Sequence, residues 1–493
     1  MSDLRAQISD QAAAPTSRIT AANRPLRDRD HRFCDLLVLS SALLFTCARQ
    51  PSTTAASSVQ RPEIWVDAFS QPGGDGTKEK PLKALPLQLA NVDVHLRAGL
   101  YAGPIALGDG TRLKGHGEVV LVGDVTAHRA ALVNVTIQGG ALRGGELTLG
   151  KVTFSGQRTL ALELDGPLAA REVRFHASVE GVAGIVAKDT RVELVDATFR
   201  GGFVRAIDVS GGQLALTRVT FEGAKTGVRA LDAASSLSEI EATGGSATGL
   251  VFAGGSVVGK GIDIRGYEFG VQLSRGVASK WTGVTVRGSA EVCFSAVQQA
   301  KVELTTARFE RCGRGGALSF LDARSTVRDV DVRDGSELGV FVRQGSASFT
   351  KLDVRGIRGG DALHVRDATV HLEASSFSDV DGSGLYVSAA ANVTGTGLQV
   401  ERAAQAAVFV ERGSSLTLEQ LLVRGGRGAA VVVPDAARVS LGTLSVSGGN
   451  EAPVYAECDR GARVEIGRIE STIEQLPSRC VTRRAGSRRG NGE

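Results

Sequence analysis

One apolar phrase recurs through this chain at nearly constant spacing, and it limits the fold more than any other feature. "KLDVRG" at 351–356 is echoed by "GIDIRG" at 261–266 and "DVDVRD" at 329–334. Aligned on their second apolar residue, the echoes form a column: Phe154, Phe175, Phe199, Phe221, Ala242, Ile264, Val286, Phe309, Val332, Val354, Phe377, Val400, Val423 and Val446. Successive members lie 21 to 24 residues apart. A period of that length, held over so many steps, describes a stacked array in which each repeat buries its apolar face on the next.

Each repeat holds three short runs of period-2 alternation. Two residues before each column member stands another apolar or small residue (Val152, Val173, Ala197, Val219, Ile240, Ile262, Val284), so both point to one side of a strand. A Gly-rich turn leads to a second run, as in "GVFVR" at 339, "ALHVR" at 362, "GLYVS" at 384 and "AVFVE" at 407. A third follows, as in "ATVHLEA" at 368–374 and "SSLTLEQ" at 414–420. Three strands and three turns per repeat make one coil of a parallel β-helix. Helical repeats are longer and lack these β-branched alternations, and leucine-rich repeats need an Asn/Leu pattern. With 62 Gly and 5% aromatic residues, the composition suits many turns around a thin aliphatic core. The Phe column at 154, 175, 199 and 221 is expected to stack inside the rod.

The coil length and three-strand layout resemble right-handed parallel β-helices of the pectate-lyase-like group. The fold expected is therefore all-β: a single-stranded right-handed parallel β-helix of about fourteen to fifteen coils of 22–23 residues, with an N-terminal cap. The segment 64–117, with its Gly-Asp-Gly turn, "KPL" and "AGLY", resembles the head of secreted β-helix proteins and implies a cap containing a short helix. Pro86 lies within that helix or starts it. The domains expected are an extension over 1–33, a signal-type segment over 34–47, a tether over 48–62, the cap and first coils over 63–117, the β-helix over 118–475, and a C-terminal cap with a basic tail over 476–493.

The segment 34–47 holds an apolar run, Leu36 to Phe45, behind a basic flank, and that run is too short to span a bilayer as a helix. It resembles the signal of bacterial lipoproteins, with Leu44, Phe45, Thr46 and Cys47 in the place of the cleavage box. The resemblance implies lipidation of Cys47 and a membrane anchor; an ordinary secretory signal cut near Ala48 is the other reading. Either way the chain is exported, as an outer-membrane lipoprotein or a periplasmic or extracellular protein. Cys458 and Cys480 are placed to close a loop by a disulfide at the end of the array. Cys293 and Cys312 fall at different positions of neighbouring coils and are read as free thiols.

A net charge of +4 over 493 residues, with a basic tail and few Trp or Tyr, does not make a nucleic-acid surface. The chain is expected to be a monomer whose partner is a polysaccharide or another envelope component. Function must be sought in outward side chains, because this architecture hosts enzymes and binding proteins alike. The richest patch spans three coils. Lyases of this fold hold Ca²⁺ with clustered carboxylates and abstract a proton with Arg or Lys, which nominates Asp331, Asp353 and Asp379 as acids and Arg355 as base or oxyanion partner; the paired carboxylates a hydrolase wants would be Asp379 and Asp381. Arg333, Arg358 and His364 are candidate ligand contacts. Against this, Asp and Arg alternating on an exposed strand also serve as a solvated sheet surface. Tyr267 and Trp281, on adjacent coils, form either a small platform or packing against the array. The reading preferred is a binding or structural rod without catalysis and without a cofactor. The alternative is a lyase or hydrolase acting on an acidic glycan along the Arg/Asp face, with Ca²⁺ only in that case.

Overall fold

A computed structural model describes residues 61–471 and 479–483. The expectations for the extension, the signal-type segment with Cys47, nearly all of the tether and most of the C-terminal tail fall outside these residues. The described chain is a right-handed parallel β-solenoid with almost no helix. Every strand pairing among the described residues is parallel, and the coils stack in register, with shifts only between early coils up to Arg205.

The apolar column is the inner wall of this rod. Phe154 pairs with Phe175, Phe175 with Phe199, and the succession continues through Val354, Phe377 and Val400 to Val446. It also runs further at both ends, through Tyr101, Leu121 and Ile137 before Phe154 and to Ser471 after Val446. The solenoid has about 17 turns, more than the repeat phrase alone delimits. At a coil spacing of about 4.8 Å this gives a rod of roughly 80 Å.

Packing inside the rod follows from which side chains share a column. Phe154, Phe175, Phe199 and Phe221 stack with ring centroids 4.6, 4.4 and 5.3 Å apart. Trp281 is fully buried in a wall column whose neighbour is Gly259; a β-carbon at Gly259 would lie 2.3 Å from the indole. Tyr267 is buried over Gly245, where a β-carbon would meet the ring at 1.9 Å. These two aromatics therefore form no surface platform. Each fills a slot that a glycine on the preceding coil leaves open, an arrangement that conserves volume across the pair.

The bend from third to first strand takes a single residue in the left-handed region, such as Thr306 (φ 54°), Asp329 (φ 51°) or Lys351 (φ 56°). Such a backbone costs an L-residue about 1–2 kcal/mol, and continuous hydrogen bonding to the neighbouring coils on both sides of the bend holds it in place. The outer faces of the third and first strands thus belong to one long strand, as in Arg324–Arg333 and Ser346–Ile357.

Two details of the chain ends and crosslinks differ from the sequence reading. Residues 67–92 form turns, tied by the isolated bridges of Val66 to Leu82 and Leu89 to Leu107, and hold no helix. Pro81 and Pro86 lie too close together for an uninterrupted helical turn between them. Cys293 and Cys312 are not free thiols: they form a disulfide with Cα atoms 5.6 Å apart. Cys312 sits in the corner after a first strand, and Cys293 is the second residue of the second strand of the preceding coil, Val292–Val297. Unequal positions along two coils meet there because the chain turns between them. A second disulfide joins Cys458 to Cys480, beside a single 3-10 turn at Cys458–Arg460.

Candidate functional site

The residues nominated from sequence separate into three settings. Asp331 and Asp353 are register neighbours on the outer face of the first strand, with Arg333 and Arg355 aligned beside them. Each carboxylate is taken by the arginine two residues on: Arg333 donates to Asp331 at 2.9 Å, and Arg355 donates to Asp353 at 2.9 Å through Nε and again through a terminal nitrogen. Ser376 adds a hydrogen bond to Asp353 at 3.0 Å. The same pattern recurs at Asp263 with Arg265. The bond to Asp331 raises the pKa of Arg333 above its already high ordinary value. A guanidinium so engaged is a poor proton acceptor.

Asp379, Asp381 and Arg358 occupy the corner between first and second strands instead. Arg402 donates to both oxygens of Asp379, at 2.6 and 2.8 Å, and holds that carboxyl below its ordinary range. Asp381 accepts the backbone N–H of Gly359 at 3.2 Å, a turn-closing role. Asp331, Asp353 and Asp379 therefore do not converge, and the described residues hold no group of three or more His, Cys, Asp or Glu arranged around a metal position.

His364 lies in the third setting, the outer face of the second strand, and there it belongs to a column that the sequence reading did not assemble. Phe341, His364, Tyr386, Phe409, Val432 and Tyr455 are successive register partners. Phe341 meets His364 edge-on at 5.5 Å, His364 meets Tyr386 at 4.6 Å, and Tyr386 stacks on Phe409 at 5.0 Å with the planes 8° apart. All are partly exposed, and Tyr455 is half exposed.

Polar neighbours fix the rings. Asp361 receives the N–H of Ser383 at 2.8 Å and lies 3.4 Å from Nδ1 of His364, whose Nε2 is 3.2 Å from the Ser388 hydroxyl. The Tyr386 hydroxyl donates to Glu411; burial, and then this carboxylate, push its pKa upward, so it stays protonated. Alongside run Arg343 and Arg366, exposed register partners with no ion-pair partner among the described residues. Earlier coils carry Arg229, Val251, Gln272, Ser295 and Ser319 in the same column, so the rings are confined to the C-terminal coils.

The signal for this ladder was present in "GVFVR", "ALHVR", "GLYVS" and "AVFVE". The middle letter of each phrase is an aromatic or imidazole ring, and reading down the repeats instead of along each strand collects them.

No protein-family model matches the sequence, and no curated protein does so. Among solved structures, the chain is similar to a rhamnogalacturonan lyase at 11% identity, covering 66% of this chain and 82% of that one with a TM-score of 0.18. It is also similar to the A-module of the mannuronan C-5 epimerase AlgE4 of Azotobacter vinelandii, at 12% identity, covering 80% and 91% of the two chains with a TM-score of 0.16.

Proposed function

We propose that this protein is an exported, lipid-anchored β-helix rod of the bacterial envelope that binds a glycan along the ring ladder of its C-terminal coils and performs no catalysis. The observation that carries the binding reading is the stack of Phe341, His364, Tyr386 and Phe409 on an outer face. Partly exposed rings held in fixed orientation offer an apolar face to a sugar ring at little entropic cost, with hydrogen-bonding groups at their edges. Their spacing, one ring per coil, suits a linear chain lying parallel to the rod axis.

The lyase or hydrolase alternative would use the Arg/Asp face, with Asp353 and Arg355 at its centre. Both of these are committed to each other, as Asp331 and Arg333 are. That pairing supports a solvated surface more than a reactive one.

The test is a panel of neutral and acidic polysaccharides incubated with the purified chain, with and without Ca²⁺, and followed both for binding and for unsaturated products or new reducing ends. Binding without product is the expected outcome. Turnover that Asp353→Ala or Arg355→Ala abolishes would replace this reading with the enzymatic one. For the anchor, Cys47→Ser is expected to move the protein from the membrane fraction to the soluble one, and unchanged fractionation would sink lipidation.

A further inference from the structure

A second surface, on the outer side of the third strands, has features that neither the ladder nor the charged first-strand face explains. A groove of about 810 Å³ crosses the coils from Ser256 to Thr369. Those coils follow one another in register through Ala278, Lys301, Arg324 and Ser346. Five steps of about 4.8 Å make the groove roughly 24 Å long. Its walls are rich in hydroxyls, among them Thr326, Ser346 and Ser348, and its one ring is His371 at the far end. Stacking is therefore not its mode of contact.

Charge is concentrated at its centre. Lys280 is neutralised by Glu303 at 3.4 Å, but Lys301 and Arg324, adjacent in register and exposed, have no ion-pair partner among the described residues. A smaller depression shares both of them and adds Gln299 and Asp322. Ser325, between Arg324 and Thr326, shares the inward-facing column of Val302 and Ala347, so the hydroxyls on the groove side are those of Thr326, Ser346 and Ser348. Lys301 and Arg324 thus stand as two neighbouring cations without carboxylate partners at the middle of a hydroxyl-lined groove.

We infer that this groove is a separate binding site for a linear, polyhydroxylated chain carrying sulfate or phosphate esters, with an ester oxyanion held between Lys301 and Arg324. An ammonium, a guanidinium fork and serine hydroxyls supply donors from several directions, which suits a tetrahedral oxyanion better than a planar carboxylate. The site lies on a different face from the ladder and stands or falls independently of it.

Affinity electrophoresis of the full chain tests this, with heparin as the sulfated probe, poly(glycerol phosphate) as the phosphorylated one and polygalacturonate as the carboxylated one. The chain is expected to be retained by at least one ester-bearing polymer more than by polygalacturonate, with retention falling as salt is raised. Lys301→Ser with Arg324→Ser is expected to weaken that retention about tenfold. Lys83→Ser with Lys188→Ser removes the same charge elsewhere and is expected to change it less than about twofold. Equal losses in the two double variants would show a net-charge effect and overturn the site, as would no loss in either or a preference for polygalacturonate. Melting temperatures of both variants, expected to be unchanged, separate binding from folding. Neutral-glycan binding by the ladder is read in its own assay, so failure here leaves that reading intact.

Discussion

Two outer faces of the same rod carry polar and aromatic residues at the same coil spacing, yet they solve different problems. On the first-strand face, Asp331 with Arg333 and Asp353 with Arg355 satisfy each other within one strand, and the motif recurs at Asp263 with Arg265. On the second-strand face of the C-terminal coils, rings stack on rings and Arg343 and Arg366 stay unpaired beside them. The first arrangement leaves little to offer a ligand. The second holds apolar surface and donors in readiness, which a monomeric solvated rod would gain nothing by keeping. In a repeat protein, then, a residue pattern that recurs on many coils marks the scaffold, and a pattern confined to a few coils marks the place to look for binding.

Changing inner and outer members of the aromatic set should separate scaffold from site most strongly. Phe199→Ala removes the middle of the buried stack and is expected to cost about 3–5 kcal/mol by denaturant unfolding. Phe409→Ala, on the outer ladder, should cost about 1 kcal/mol or less. If Phe409→Ala proved as damaging as Phe199→Ala, the ladder would be a structural element. Next in size, Gly259→Ala is expected to destabilise by about 1–3 kcal/mol through the clash with Trp281, and a Gly259→Ala Trp281→Leu double variant should recover part of it.

The charged face should respond far less. Arg355→Ala is predicted to change stability by about 0.5 kcal/mol or less, as an exposed pair does. The smallest effect concerns pH. Arg402 holds the Asp379 carboxyl below its ordinary value, so this pair's contribution is present above the unfolded carboxyl's pKa of about 3.9 and is lost as pH falls through the lower folded value. Arg402→Ala should therefore shift the melting temperature slightly at neutral pH, and the difference from the unaltered chain should shrink at the acid end. A difference that grew with acid would contradict the assignment.

Much of the fold was legible because a period-2 alternation repeated every 21 to 24 residues leaves little freedom: residues aligned by phrase pair in space from Phe154 to Val446. The aligned phrase does not reach the first coils because the spacing shortens there, with Tyr101, Leu121, Ile137 and Phe154 separated by 20, 16 and 17 residues. The burial of Trp281 and Tyr267 depends on glycines a coil away, a compensation invisible when each residue is weighed alone. Likewise the Cys293 to Cys312 crosslink spans a corner, where position along the coil is a poor guide to distance. The site was the least legible part. Charge crowding between Asp331 and Asp381 is conspicuous in the sequence but divides into ion pairs and turn contacts, whereas the ladder is written one letter per repeat.

If ligand contact lies on the second-strand face, dissociation constants of two double variants will differ sharply. For whichever neutral saccharide the unaltered chain binds best, Tyr386→Ala with Phe409→Ala is predicted to raise Kd by about tenfold or more, in line with the loss of a central aromatic contact. Asp353→Ala with Arg355→Ala should change it by less than about twofold. The opposite ranking, with the ladder variant binding like the unaltered chain and the charged-face variant losing its ligand, would contradict the claim.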